Sequence, residues 1–254
     1  MRELLEAVAA GELSPAEAET RLRGYATTGV GRFDAAREDR RGVPEAILAS
    51  GKSPSEVAAL TEVALETSGH ALLTRVSAAD VDAVTEAVGN DVVRNHDDRG
   101  RTLIARRPGY EPPSVDADVA VVTGGTADAA VACEAEAVLD VMGVNVTRID
   151  DVGVAHLGRV LDHLDTLRAA DVLVVAAWRE GALPTVAAGL VDTPVIGVPV
   201  SSGYGHGGDG SAALAGMLQS CTVLSVVNID SGFVAGAQAG LVARAIGTAR
   251  TESD

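Results

Sequence analysis

The second half of the chain alternates between short apolar runs and stretches with apolar residues at helical spacing. Residues 119–123, 143–149, 172–177, 195–200 and 223–229 are rich in Val and too short for independent helices. They read as strands of a parallel sheet, buried on both faces. Pro199 is tolerable there because it lies next to its strand's end. Between two of these runs Leu157, Val160, Leu161, Leu164 and Leu167 recur at helical spacing. Strand and helix in alternation predict an α/β domain, a three-layer αβα parallel sheet with helices on both faces and flavodoxin-like strand order.

The first half follows another pattern. Residues 2–24 read as helical, with a capping box and a helix-starting proline in Ser14-Pro15-Ala16-Glu17. A polar segment of interleaved arginines and carboxylates, 33–45, precedes a short apolar piece at 46–48. Ser53-Pro54-Ser55-Glu56 opens a second helix to about residue 66, and Ser77-Ala78-Ala79-Asp80 opens a third to about residue 88. Residues 71–75, 91–94 and 102–105 read as strands. These elements predict a smaller α+β N-terminal domain at 1–107 and the parallel-sheet domain at 117–254. The linker between them, 108–116, contains Pro108, Gly109, Pro112 and Pro113 and can continue neither kind of element.

Charge narrows the function classes. Among 254 residues, 36 acidic side chains stand against 20 basic ones, a net charge of −16, and Lys52 is the one lysine. Such a surface repels nucleic acid and resembles that of proteins from salt-loving microbes. Lys52 is either a leftover surface residue or one kept for a purpose. No apolar run approaches the roughly 18 residues of a membrane span, and MRELLEAVAAGEL lacks a signal peptide's apolar centre. The expectation is a cytoplasmic protein with no membrane and no nucleic-acid partner. Cys133 and Cys221 make no disulfide framework.

Ligands of open α/β sheets bind beyond the carboxyl ends of the strands, so candidate chemistry is sought there. In Thr123-Gly124-Gly125-Thr126-Ala127-Asp128 a glycine turn enters a helix, and the N–H groups around Gly124, Gly125 and Thr126 favour an anion such as phosphate. Asp128 is either a functional acid or a first-turn residue complementing the helix dipole. Asp150-Asp151 can hold a metal, raise one another's pKa, or be a solvated loop, and His156 follows as a candidate acid or base. Glu180, in Trp178-Arg179-Glu180-Gly181, is expected to project into the cleft partly desolvated, which suits a proton acceptor.

The next loop carries Ser201, Ser202, Gly203, Tyr204 and Gly205, where hydroxyls can bind phosphate or carboxylate and glycine lets a ligand approach closely. Gly203-x-Gly205-x-x-Gly208, with Asp230 downstream, formally matches the dinucleotide fingerprint, in a stretch glycine-dense enough for a chance match. No Gly-Lys-Ser/Thr follows a Walker spacing. Cys221 is either an inert buried residue or a nucleophile. With Asn228 it flanks a predicted strand spanning roughly 23 Å at about 3.3 Å per residue, so one subunit does not easily bring both to one ligand.

Phe33-Asp34, Arg40-Arg41-Gly42-Val43-Pro44-Glu45 and Gly51-Lys52 are followed in order by Asp151-Val152-Gly153-Val154-Ala155, Glu180-Gly181-Ala182-Leu183-Pro184, residues 197–205, Leu218-Gln219-Ser220-Cys221 and residues 227–233. The second domain resembles the PurE type of aminoimidazole ribonucleotide (AIR) carboxylase. The whole set resembles the LarB family, pyridinium-3,5-biscarboxylic acid mononucleotide synthases of nickel-pincer cofactor biosynthesis. That resemblance implies carboxylation of nicotinic acid adenine dinucleotide at ring carbon 5 with CO2 or bicarbonate, and hydrolysis of the phosphoanhydride to release AMP. It implies Cys221 as covalent catalyst and Glu180 or Asp128 as the base that removes the ring proton.

It further implies phosphate binding by the glycine turns, a carboxylate oriented by Ser202 and Tyr204, substrate contacts at Ser201, Asn228 and Asp230, and countercharge from Arg40, Arg41 and Lys52. No prosthetic group is implied, and Mg2+ is left open. Family members assemble as octamers, which would bring a neighbouring subunit's Cys221 to the site. The chain departs from the family in having His156-Leu157-Gly158-Arg159 where a His-Arg pair is expected. Two rivals remain. One is an AIR carboxylase or mutase, whose imidazole substrate is already an enamine and needs no thiol. The other is a non-catalytic dinucleotide-binding protein.

Overall fold

A computed structural model describes residues 2–11, 15, 18, 22, 24–201 and 204–252. The chain divides into two compact units, residues 1–96 with 101–111, and residues 97–100 with 112–254.

The first unit begins with helix α1 (Arg2–Ala9), which stops at a turn where Gly11 takes a φ of +74°. A break there agrees with a new helix starting at Ser14; Pro15, Ala18 and Leu22 are helical, while Ser14, Ala16 and Glu17 of the box lie outside the described residues. Next come the antiparallel pair β1 (Ala26–Thr27) and β2 (Arg32–Phe33), then α2 (Arg37–Arg41), β3 (Ala46–Leu48), α3 (Pro54–Ser68), β4 (His70–Thr74), α4 (Ala78–Ala87), β5 (Val93–Asp97) and β6 (Thr102–Arg106). A four-stranded sheet runs β3-β4-β6-β5, with β3 parallel and β6 antiparallel to β4. Helices α3 and α4 start where the sequence places them, because Ser53 with Glu56 and Ser77 with Asp80 cap each other reciprocally. Val57, Ala64, Leu73, Val84 and Leu103 close the core between helices and sheet. The strand expected at 91–94 begins later, since Val92 N–H is still bonded to the Gly89 carbonyl in a turn.

The second unit contains β7 (Val115–Thr123), α5 (Ala129–Val141), β8 (Val144–Ile149), α6 (Gly158–Leu161), α7 (Leu164–Ala169), β9 (Val172–Ala177), α8 (Ala182–Ala188), β10 (Val195–Pro199), α9 (Ser211–Leu218), β11 (Ser225–Val226) and α10 (Gly232–Thr251). All five strands are parallel, in the order β8-β7-β9-β10-β11, which is the flavodoxin-like order. Every residue of β9 is buried. Leu173 and Val175 point into a core with Val160, Leu167, Leu183, Ala187, Ala213 and Met217, drawn from α6 to α9. Their strand neighbours Val172 and Val174 face the other side, where α10 packs on β7, β9 and α5. Burial of both faces is why the strands lack polar alternation.

The expected strand at 223–229 shrinks to two residues. Beyond it Val227 N–H bonds the Gly197 carbonyl and Asp230 N–H the Pro199 carbonyl, while Ser231 N–H turns back to Asn228. Asp230, at a φ of 55°, carries the chain out of the sheet into α10.

Helix α10 lies close against α5 because glycines face it. A Cβ on Gly236 would meet the Ala135 carbonyl oxygen at 2.5 Å and its Cα at 2.8 Å, both rigid backbone. Gly236→Ala is expected to push the helices apart and destabilise the protein by about 1–3 kcal/mol. Urea denaturation followed by circular dichroism checks this.

Candidate active site

The carboxyl ends of β7, β9 and β10 deliver three loops to one edge of the sheet. Thr123 ends β7 fully buried, donates its hydroxyl to Asp150 Oδ1 at 2.8 Å and accepts the N–H of Asp151 at 3.1 Å, tying the β7 and β8 loops together. Gly124 N–H bonds the Ala176 carbonyl at 3.1 Å, so the turn rests on β9. One 3-10 turn, Thr126–Asp128, then places the Asp128 carboxylate back over the glycines, where it accepts the Gly125 N–H at 2.7 Å.

Asp128 is 2% exposed, and its Oδ1 is buried with no hydrogen-bond partner among the described residues. Burial pushes its pKa up to about 6, against the opposing pull of backbone N–H groups of Gly125, Trp178 and Gly124. Such a carboxyl changes protonation close to neutral pH and has one oxygen open to a proton.

The β9 loop turns tightly, Gly181 N–H bonding the Trp178 carbonyl at 3.1 Å, with positive φ at Arg179 (61°) and Gly181 (65°). A side chain at Gly181 would strike the Ala213 carbonyl at 2.6 Å. Glu180 does not project into a desolvated cleft as expected. It is exposed, because the turn packs its carbonyl on α9, where a Cβ on Gly216 would lie 2.1 Å from the Glu180 oxygen, and leaves the side chain in solvent. Instead the loop contributes Trp178 and Arg179. The Arg179 guanidinium carbon lies 4.1 Å from the Trp178 ring centre and 4.7 Å from that of Tyr204. The two rings meet edge to face at 4.6 Å, and Arg179 Nη2 donates to the Tyr204 hydroxyl at 2.5 Å.

In the β10 loop, Ser201 is held by Asp230, whose carboxylate accepts its N–H at 2.8 Å and its hydroxyl through the other oxygen. Both Asp230 oxygens are thus engaged with Ser201, which Asp230 positions. Ser202 and Gly203 lie outside the described residues. Gly205 has a φ of 83°, and turns from there to Gly210 lead into α9.

The remaining candidates are not gathered here. Cys221 is exposed and sits in a turn before β11, where Thr222 N–H bonds Ser220 Oγ at 3.2 Å. Ser225 of β11 pairs with Ile196 near the start of β10, so Cys221 lies toward the edge where the parallel strands enter, opposite Asp128. Asn228 is exposed at the exit edge, its Oδ1 accepting the Ile229 N–H at 2.8 Å. His156 is exposed at the end of a 3-10 turn, Val154–His156.

Asp150 meets Arg148, and Asp151 meets Arg159. Among the described residues no group of three or more His, Cys, Asp or Glu side chains could hold a metal ion, and no step below is routed through one. In the first unit Arg40 makes two bonds to Asp34, at 3.0 and 2.7 Å, Lys52 Nζ donates to the Leu48 carbonyl at 2.6 Å, and Arg41 is exposed. Arg40, expected as countercharge for a ligand, is matched by a carboxylate six residues before it. Sequence reasoning assigned no role to Trp178 and Arg179. The available signal was the chain's one tryptophan, next to an arginine, at the end of its most apolar strand.

The second unit is thus an α/β domain with a flavodoxin-ordered parallel sheet and a buried carboxyl beside a glycine turn at its carboxyl edge. Residues 118–253 match the AIR carboxylase family and residues 25–107 the LarB/PurE-like N-terminal domain. The chain belongs to the LarB family, with a PurE-like C-terminal domain, and is a carboxylase-type enzyme. It is 36% identical over 254 residues to the uncharacterized protein MJ0165 of Methanocaldococcus jannaschii, covering 96% of this chain and 97% of that one. The crystal structure of a single-residue variant of Treponema denticola PurE2 aligns at 19% identity and a TM-score of 0.37, over 54% of this chain and 96% of that one, a likeness too low to carry an argument. Among the described residues no helix is long and apolar enough to cross a membrane.

The raised pKa of Asp128 has a thermodynamic sign. The folded state holds this proton more tightly than the unfolded chain, so the contribution is complete below pH 4 and lost as pH rises from about 4 to about 6. Asp128→Asn, which stays neutral and still accepts the Gly125 N–H, is therefore expected to gain stability relative to wild type between pH 4 and pH 7.5. The gain is at most about 3 kcal/mol, read from urea unfolding at the two pH values.

Proposed function

We propose that this protein carboxylates the pyridinium ring of nicotinic acid adenine dinucleotide at carbon 5 and hydrolyses the phosphoanhydride, releasing AMP and a pyridinium-3,5-dicarboxylate mononucleotide. The observation that carries the reading is Asp128: a nearly fully buried carboxyl with a pKa of about 6 and one unpartnered oxygen, beside a glycine turn, in a chain of the LarB family.

A pyridinium ring is electron-poor and does not attack CO2. The Cys221 thiolate adds to a ring carbon, forming a carbon–sulfur bond and an enamine whose carbon 5 is nucleophilic. That carbon bonds to CO2. A base then takes the proton from carbon 5, the carbon–sulfur electrons return to sulfur, the thiolate leaves, and aromaticity is restored. Asp128 suits the base better than the exposed Glu180, because its pKa lies near the working pH. Water cleaves the phosphoanhydride separately. Cys221 at the opposite sheet edge supports a site completed by a neighbouring subunit, as an octameric assembly would provide. The N–H groups of Gly124 and Gly125 and the hydroxyl of Ser201, expected to meet phosphate, are already engaged by Ala176, Asp128 and Asp230, and Arg41 and Lys52 are proposed to add positive charge.

The match of residues 118–253 favours one second reading, AIR carboxylation. It needs no thiol. Purified protein incubated with nicotinic acid adenine dinucleotide and bicarbonate is expected to yield AMP and the dicarboxylated mononucleotide by mass spectrometry, and Cys221→Ala to yield neither. Equal product from Cys221→Ala, or product only from the imidazole substrate, would remove the thiolate mechanism. Asp128→Asn is expected to lower kcat by about 10²–10⁴-fold. Wild-type kcat/KM is expected to fall as pH drops through about 6, where Asp128 gains its proton.

A further inference from the structure

Trp178 N–H faces the Asp128 carboxylate, and Arg179 is the next residue along the chain. A positive φ of 61° swings it into the corner between the Trp178 and Tyr204 rings, where two aromatic contacts and the Tyr204 hydroxyl fix the guanidinium plane. The arginines of the chain fall into several settings: Arg99, Arg101 and Arg168 donate to backbone carbonyls. Arg37, Arg40, Arg148, Arg159 and Arg250 each meet a carboxylate, on a chain with net charge −16. Among the described residues Arg179 meets a neutral phenol instead, so its charge is not cancelled. A rigid, uncompensated guanidinium fork is matched to a planar carboxylate.

We propose that Arg179, held in the corner of Trp178 and Tyr204, binds the ring carboxylate of the substrate and selects nicotinate over nicotinamide nucleotides. This rests on the substrate reading above. The amide of a nicotinamide ring is neutral and offers a single acceptor oxygen, so the fork loses both charge and one of its two bonds. Tyr204 acts as a positioning residue, holding Nη2 so that the fork is set before ligand arrives.

Trp178 is the chain's one tryptophan and touches the guanidinium, so its fluorescence reports occupancy directly. Nicotinic acid mononucleotide and nicotinamide mononucleotide are titrated separately against wild type, Arg179→Met and Arg179→Lys, each shown to be folded by circular dichroism. Wild type is expected to prefer the acid by roughly tenfold or more, the scale of a charged hydrogen bond. Arg179→Met is expected to lose the preference, and Arg179→Lys to keep a reduced one, having charge without the fork.

Equal binding of the two nucleotides by wild type, binding of neither, or an acid preference that survives in Arg179→Met would overturn the assignment, even if AMP and carboxylated product still form. An acid preference lost in Arg179→Met, in a protein that carboxylates neither dinucleotide, would uphold the assignment and remove the proposed reaction. Tyr204→Phe is expected to raise KM for the acid dinucleotide and leave kcat unchanged, a split that a general loss of folded protein would not produce.

Discussion

The site depends on one electrostatic compromise, a carboxyl group taken out of water at the end of the central strands and only partly compensated. Three backbone N–H groups, from Gly124, Gly125 and Trp178, face Asp128, and they belong to two different strand ends. Gly125 donates to it at 2.7 Å, and together these groups do not offset the cost of burial, so the group remains protonated to unusually high pH. Almost everything else at this edge serves that placement. Thr123 locks the β7 loop to the β8 loop, Gly124 rests on Ala176, and the tight Trp178–Gly181 turn brings an N–H to the carboxylate. The sheet supplies rigidity because both its faces are buried, so the loop origins cannot drift.

Arginines of this chain meet two kinds of partner. Some of the chain's carboxylates are paired with arginine, such as Asp34 with Arg40 and Asp171 with Arg250. Pairs of this kind near the surface contribute little net stability, but they keep guanidinium groups occupied. Arg179, by contrast, is held by two aromatic rings and a hydroxyl.

Much of the architecture was legible in the sequence, because fully buried parallel strands write themselves as uninterrupted Val-rich runs and capping boxes mark helix starts by residue type. Residues 172–177 and the boxes at Ser53 and Ser77 are cases in point. The last strand is shorter than its apolar run, which continues to Ile229: the regular ladder stops at Val226, single bonds to Gly197 and Pro199 follow, and the positive φ of Asp230 then carries the chain out of the sheet. Apolar composition does not record where a ladder ends.

The site was legible in part. Position at the carboxyl ends of strands picked out Asp128, Glu180 and the glycine loop, but not which acid is buried, because that is decided by the local turn. One 3-10 turn folds Asp128 inward, whereas the 178–181 turn leaves Glu180 in water. Arg179 was passed over because its significance lies in Tyr204, 25 residues away in sequence. The most direct measurement on this account is a 13C NMR titration of carboxylate resonances, with Asp128 assigned by its disappearance in Asp128→Asn. A midpoint near pH 6 is the predicted result. A midpoint near the ordinary aspartate value of about 3.9 would contradict the account, because Asp128 would then be a solvated carboxylate rather than a buried base.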